Sequence, residues 1–344
     1  MVYRGGFLWL LGSFHLACSA SGFVSSSTGL SVTGWQASPS ERFIAQPSVH
    51  DVCTTTMSTS DRPTSTVLVA GAGGRTGGIV FDKLVGREGY VARAMVRREK
   101  SADKLRKTEK VAEDNIVIAD VMDPPSLKKA FEGVDQVILC TSAVPKIYPF
   151  SIVRLLVKKL LRFKNPGRPK FYFGEKGTPE EVDWIGAKAL IDEAKKVGVK
   201  QFVYVGSMGG TQPDNFLNTI GKKADGTGGD ILLWKRKAEE YLVASGLNYT
   251  IIHPGGLLDA PGGNRQLVLG VDDTLLSREV RSIPRADVAQ ICVESLRLEA
   301  AKNRSLDVIS ESEGQGEVTT DFGALLGDFA GNSDYSISPQ PASM

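Results

Sequence analysis

A doubly wound α/β fold is what this sequence predicts: a parallel sheet with helices on both faces and a small lobe near the carboxyl end. Three observations carry the prediction. Short apolar runs alternate with stretches at helical spacing from Thr66 to Phe329, the pattern of repeated βαβ units. The first run ends in a glycine-dense turn, Gly71-Ala72-Gly73-Gly74-Arg75-Thr76-Gly77, and Ile79-Val80-Phe81-Asp82-Lys83-Leu84 follows at helical spacing. With 344 residues, 42% of them hydrophobic, the chain has ample material for a buried core.

The glycine turn organises the rest. Strand, tight turn and helix together set an anion over a helix N-terminus, where N–H groups lack intrahelical partners and the macrodipole favours negative charge. Gly71, Gly74 and Gly77 stand at GxxGxxG spacing; they serve the turn, the close approach to a pyrophosphate and the packing of helix on strand. A second strand, 90–96, ends at Arg97-Arg98. An acidic residue there would take a ribose 2′-hydroxyl, whereas arginine suits a 2′-phosphate, so the spacing favours NADP over NAD. The third strand, 115–119, delivers Asp120-Val121, with Asp120 a partner for the adenine amino group. Pro124 opens a helix over 126–131. The fourth strand, 134–140, leads to Thr141-Ser142-Ala143, which should line the cofactor crevice.

Farther on, a helix over 182–197 precedes a fifth strand, 201–205, which delivers Gly206-Ser207-Met208-Gly209-Gly210. A glycine-rich loop to Gly229 and a helix over 231–244 come next. The sixth strand, 249–252, leads into His253-Pro254-Gly255-Gly256, read as a loop. Two readings of His253 stand side by side: contact with nicotinamide or substrate, and a satisfied structural histidine. Residues 257–283 form the expected substrate lobe, and Pro284 starts another helix by the proline-at-first-turn rule. A late strand at 306–309 and a helix over 322–329 complete a single domain of 64–330, leaving 331–344 as a flexible tail.

Composition excludes several classes of function. A formal net charge of +2 with no long basic run offers nothing to nucleic acid. Of four cysteines, Cys140 and Cys292 sit in apolar runs and read as buried free thiols. Of three histidines, His15 and His50 precede the fold, so no histidine-rich metal site or Ser-His-Asp triad is expected.

Residues 1–63 read as a targeting leader. Arg4, the apolar run Phe7-Leu8-Trp9-Leu10-Leu11 and the small residues Cys18-Ser19-Ala20 follow a signal-peptide plan. The next stretch, rich in Ser and Thr and poor in acids, resembles a transit peptide. Together they look like the bipartite leaders of algae whose plastids lie within the ER, with secretion as the alternative.

An insertion at 144–182 interrupts the alternation. Within it, from Phe150 to Lys164, Arg154, Lys158 and Arg162 recur every fourth residue while Val153, Leu156, Val157, Leu160 and Leu161 fill the other side. This is a basic amphipathic helix. Packing on its own domain, a lid over the substrate pocket and weak contact with an anionic membrane surface are the three readings.

Several motifs together resemble the atypical short-chain dehydrogenase/reductases. They are Gly71-x-x-Gly74-Arg75-Thr76-Gly77, Val182-Asp183-Trp184-Ile185-Gly186, Gly206-Ser207-Met208-Gly209-Gly210, Trp234-Lys235-Arg236-Lys237-Ala238-Glu239 and Pro284-Arg285-Ala286-Asp287-Val288-Ala289. Within that class the chain is similar to the plant sanguinarine-reductase-like group and, more distantly, to Tic62 and NmrA-like proteins. The resemblance implies a Rossmann domain that binds NADP(H). Its cofactor contacts would be Gly71, Gly74, Arg75, Thr76, Gly77, Arg97, Asp120, Val121, Thr141, Ser142, Ala143 and Pro254. Ser207 would match the catalytic serine and Lys235 the lysine that holds the nicotinamide ribose.

One departure shapes the expected chemistry. The usual dehydrogenase pattern sets a tyrosine four residues before the lysine as proton donor; here that position is Ile231, and Tyr241 lies on another side of the helix. Hydride transfer to a small conjugated or cationic acceptor, quinone- or iminium-like, needs least help from an acid. The expectation is therefore an NADPH-dependent oxidoreductase for such an acceptor. The alternative is a non-catalytic NADP(H)-binding sensor, with an epimerase or dehydratase a distant third.

Overall fold

The computed structural model describes residues 64–107, 111–165 and 167–337. The expected leader at 1–63 and the final residues of the expected tail lie outside the described residues.

Chain order runs β1 (Ser65–Ala70), α1 (Arg75–Leu84), β2 (Tyr90–Val96), α2 (Glu99–Arg106), β3 (Ile116–Ile118), α3 (Pro124–Ala130) and β4 (Gln136–Leu139). The insertion contributes β5 (Lys146–Ile147), α4 (Pro149–Leu160) and β6 (Phe171–Tyr172). A π-helical segment, Glu180–Gly186, then runs into α5 (Ala187–Val197), followed by β7 (Gln201–Val205), α6 (Phe216–Thr219), α7 (Ile231–Val243) and β8 (Tyr249–Pro254). The remainder is β9 (Gly256–Leu258), β10 (Leu267–Gly270), β11 (Ser282–Pro284), α8 (Arg285–Glu294), β12 (Arg304–Ser310) and α9 (Phe322–Gly327).

Eight strands form one sheet in the order β10-β12-β8-β7-β4-β1-β2-β3. Every pairing in it is parallel except β10 with β12 at one edge. Strand alternation fills two cores. Val67 and Val69 of β1 face one layer with Val80, Phe81 and Leu84 of α1 and Val288, Ile291 and Cys292 of α8. Leu68 and Ala70 face the other, with Leu127 of α3, Leu190 and Ile191 of α5, and Leu242 of α7. Both faces are covered, which is why the strands read as continuous apolar runs. Each fully buried Leu, Ile or Phe contributes about 1.5–3 kcal/mol. The sheet and both core layers are built within residues 65–335.

The stretch 257–283, the expected substrate lobe, supplies β10 to the main sheet, and β9 pairs with β11 beside it. Three sequence expectations need revision. His253 and Pro254 lie in strand β8, not in a loop. Pro284 closes β11 and caps α8, whose first residue is Arg285. The start of the expected flexible tail is docked. Asn332 Oδ1 accepts from the Ser305 amide at 2.7 Å, the Tyr335 hydroxyl meets Ser305 Oγ at 2.8 Å, and Arg236 stacks on the Tyr335 ring. Cys140 and Cys292 are both free thiols, and burial pushes that of Cys140 up to about 12.

Candidate cofactor and acceptor site

Between β1 and β4 the strand order reverses, so their connections leave in opposite directions and open a crevice at the carboxyl edge of the sheet. The glycine turn occupies this point. Gly71 has φ +89°, and a Cβ there would come within 3.0 Å of the Thr141 nitrogen. At Gly77 a Cβ would lie 2.2 Å from the Gly71 carbonyl oxygen, so no larger residue leaves the turn intact. Gly74 caps α1 without a side-chain hydrogen bond, no acid stands in the first turn, and Gly73, Gly74 and Arg75 are exposed. Free N–H groups, a positive dipole end and a backbone cleared of side chains fit a pyrophosphate.

Around this cradle stand the other expected cofactor residues. Arg97 leaves the end of β2 exposed, its guanidinium donating to the Lys176 carbonyl at 3.4 Å. Asp120 follows β3 and its Oδ1 accepts from the Met122 amide at 3.0 Å, which fixes its rotamer. Val121 is buried, and the π-helical segment passes so close that a Cβ on Gly186 would meet Val121 at 2.5 Å. Thr76 is half-buried, and Arg75 pairs with Asp259, which also receives Arg285 at 2.8 Å. Thr141 and Ser142 are half-buried beside Gly71, and Ala143 is buried. Pro254 is buried in β8, where its carbonyl accepts from the Met208 amide at 3.2 Å.

Lys235 is held in a buried ion pair. Its side chain is 8% exposed, and its ammonium lies 2.9 Å from Asp183 Oδ1, while Asp183 Oδ2 accepts from the Ala143 amide at 3.0 Å. Lys235 thus ties α7, through the π-helical segment, to the floor of the crevice. Ile231 begins α7 at the position of the missing tyrosine. Tyr241 is engaged elsewhere, donating to Asp192 on α5 at 2.6 Å.

Ser207 follows β7 and is half-buried; its hydroxyl donates to the Met208 carbonyl at 3.1 Å. It lines a small polar recess with Thr211, Arg236, Glu239, His253 and Asp273. Beneath this loop runs a buried chain of charge. His253 Nε2 lies 3.2 Å from Glu239 and Nδ1 lies 3.1 Å from Asp307 Oδ1. The other Asp307 oxygen accepts from the Asp273 amide at 2.7 Å, and the Asp273 carboxylate in turn accepts from the amides of Gly209 and Thr211. Burial alone would push the imidazole down, but the Glu239 charge and the Asp307 hydrogen bond outweigh it and raise His253 to about 10. His253 is therefore the cationic centre of a scaffold for the Ser207 loop. Gly206 lets that scaffold approach, since a Cβ there would meet Glu239 at 2.4 Å.

Asp183, Glu239, Asp273 and Asp307 received no role from sequence. Asp307 carried a usable signal, a carboxylate inside an apolar strand, which must be partnered when buried.

A pyrophosphate cradle at the switch point of a parallel, doubly wound sheet defines a dinucleotide-binding protein. Residues 71–299 match the NAD(P)H-binding family. The chain belongs to that family, and its cofactor is a nicotinamide dinucleotide. It is 46% identical over 270 residues to sanguinarine reductase of Eschscholzia californica, covering 76% of this chain and 94% of that one. An uncharacterised chloroplastic protein of Arabidopsis thaliana is 49% identical over 262 residues, covering 76% and 74% of the two chains. Among solved structures, one from Bacillus halodurans described as an NAD-dependent epimerase/dehydratase superposes with a TM-score of 0.55 at 25% identity, over 77% of this chain and 100% of that one.

Proposed function

We propose that the chain is a plastid NADPH-dependent reductase that passes hydride to a small conjugated or cationic acceptor, quinone- or iminium-like. The observation that carries this is a phosphate cradle with Ser207 at the end of β7, two strands away in the sheet, in a chain whose tyrosine position on α7 is Ile231. The sanguinarine reductase relative supports a reductase, and the chloroplastic relative together with the expected bipartite leader supports the plastid.

When bound, NADPH supplies the hydride. The cradle and the first turn of α1 would hold its pyrophosphate, Arg97 its 2′-phosphate and Asp120 its adenine amino group. Thr141, Ser142 and Ala143 would line the nicotinamide end, with Lys235 positioning Ala143 through Asp183. Ser207 would orient the acceptor, its hydroxyl donating to a quinone oxygen or turning a lone pair towards an iminium carbon. An iminium carbon that takes hydride becomes a neutral amine with no proton moved, and a quinone that takes hydride becomes a hydroquinone anion that draws one proton from water. Neither needs the absent tyrosine.

The same residues support a second reading, a non-catalytic NADP(H) sensor, because Lys235 is spent on Asp183. Turnover decides between them. With the chain from Ser65 onward, loss of reduced-nicotinamide absorbance is followed against a panel of quinones and iminium cations. We expect turnover that Ser207→Ala lowers by about ten- to a hundredfold, the worth of one hydrogen bond to a charged group, with NADPH affinity unchanged. Tight NADPH binding without turnover on any acceptor would establish the sensor instead.

A further inference from the structure

Helix α4 has no buried residue. Phe150 and Leu160 are 86% and 82% exposed, and Val153, Leu156, Val157, Leu161 and Phe163 are exposed as well. The helix therefore does not pack on its own domain, as one reading of the sequence held. Its root is firm nonetheless. β5 and β6 pair as an antiparallel ladder, Tyr148 and Tyr172 stack with centroids 4.4 Å apart, and the Lys170 amide donates to Ser151 Oγ at 3.1 Å. An apolar face held out from the domain by a built hairpin is a surface that something covers.

Charge identifies what covers it. From Val144 to Gly174 the sequence carries eight Lys and Arg and no Asp or Glu, in a chain whose net charge is only +2. Arg154, Lys158, Lys159, Arg162 and Lys164 form no ion pair among the described residues. Projected at about 100° per residue, the apolar side chains sweep about half the circumference of α4 or more, with Arg154 and Lys158 side by side on the other side. A groove on a partner protein would take a narrow stripe at i, i+3, i+4 and i+7, whereas a half-apolar, cation-flanked helix suits an interface plane. No helix among the described residues is long and apolar enough to cross a membrane.

We propose that α4 lies in the headgroup region of an anionic lipid membrane and docks the protein there. Its apolar half enters the acyl boundary while Arg154 and Lys158, with Arg162 just past the helix end, extend their stems to the headgroup phosphates. The surface is independent of the dinucleotide site, so its failure would leave the reductase reading untouched.

Vesicle co-sedimentation tests this with the chain from Ser65 onward, which keeps the sheet and both cores. The wild type is expected to bind vesicles of phosphatidylglycerol and not those of phosphatidylcholine, and to be released by high salt. Lys158→Gln with Arg162→Gln should weaken binding about thirtyfold, at roughly fivefold for each basic residue lost. Leu156→Glu with Leu160→Glu should abolish it, while the thermal midpoint and NADPH affinity stay at wild-type values because both side chains are uncovered by the domain. Equal binding to both lipids, no binding to either, or wild-type binding by both variants would overturn the proposal. So would a dimer in solution that Leu156→Glu splits, since a second copy would then be the occupant.

Discussion

Gly77→Ala is expected to weaken dinucleotide binding about a hundredfold. The new methyl group would lie 2.2 Å from the Gly71 carbonyl oxygen and 3.2 Å from the Cys140 side chain, so either the turn or α1 must shift. Overpacking of this kind costs about 1–3 kcal/mol, and here the displacement falls on the phosphate cradle itself. We expect the Kd for NADPH, measured by fluorescence titration, to rise about a hundredfold, the upper part of that range. The neighbouring position supplies the control. A Cβ at Gly78 meets only the Ala72 carbonyl, at 3.4 Å, and alanine gains about 1 kcal/mol of helix propensity over glycine. Gly78→Ala should bind NADPH as the wild type does and unfold at a higher temperature. Equal losses in the two variants would mean that helix packing, and not the cradle, governs the site.

His253→Leu should be the most destabilising single change in the Ser207 scaffold. It removes the cation between Glu239 and Asp307, side chains that are 4% and 1% exposed, and leaves two buried carboxylates facing one another. Breaking a buried charge pair costs about 3–5 kcal/mol, which urea unfolding at neutral pH would read directly. The wild type adds a pH signature. Its folded imidazole keeps a proton up to about 10, whereas the unfolded chain releases it near 6.5. The stabilisation is complete below 6.5, falls as pH rises because the unfolded chain then binds fewer protons, and is gone above about 10. His253→Leu should lose that slope. A wild-type stability that stays flat or rises between those limits would show that the imidazole is neutral in the fold.

What was legible in the sequence was local. Apolar runs of strand length, the GxxGxxG turn and the residues just past each strand end follow from spacing along the chain, and the parallel sheet sets those ends side by side. The positions of Ser207 and Arg97, just past β7 and β2, follow in this way. Lys235 was placed by its motif, but its engagement with Asp183 depends on packing between α7 and the π-helical segment, which no periodicity reports. The same holds for the chain from Glu239 through His253 and Asp307 to Asp273, where each link joins residues far apart in sequence. Tyr335 reads as part of a polar tail and is docked only because Ser305 and Arg236 await it. For α4 the amphipathic pattern was plain, yet only the structure shows that its apolar side is uncovered by its own domain.

Arg97 makes the cofactor preference measurable, and this is the most direct test of the account. Titration of the chain from Ser65 onward with NADPH and with NADH should show NADPH binding about ten- to a hundredfold more tightly, the worth of a charge-assisted hydrogen bond to the 2′-phosphate. Equal affinities, tighter binding of NADH, or no binding of either would contradict it.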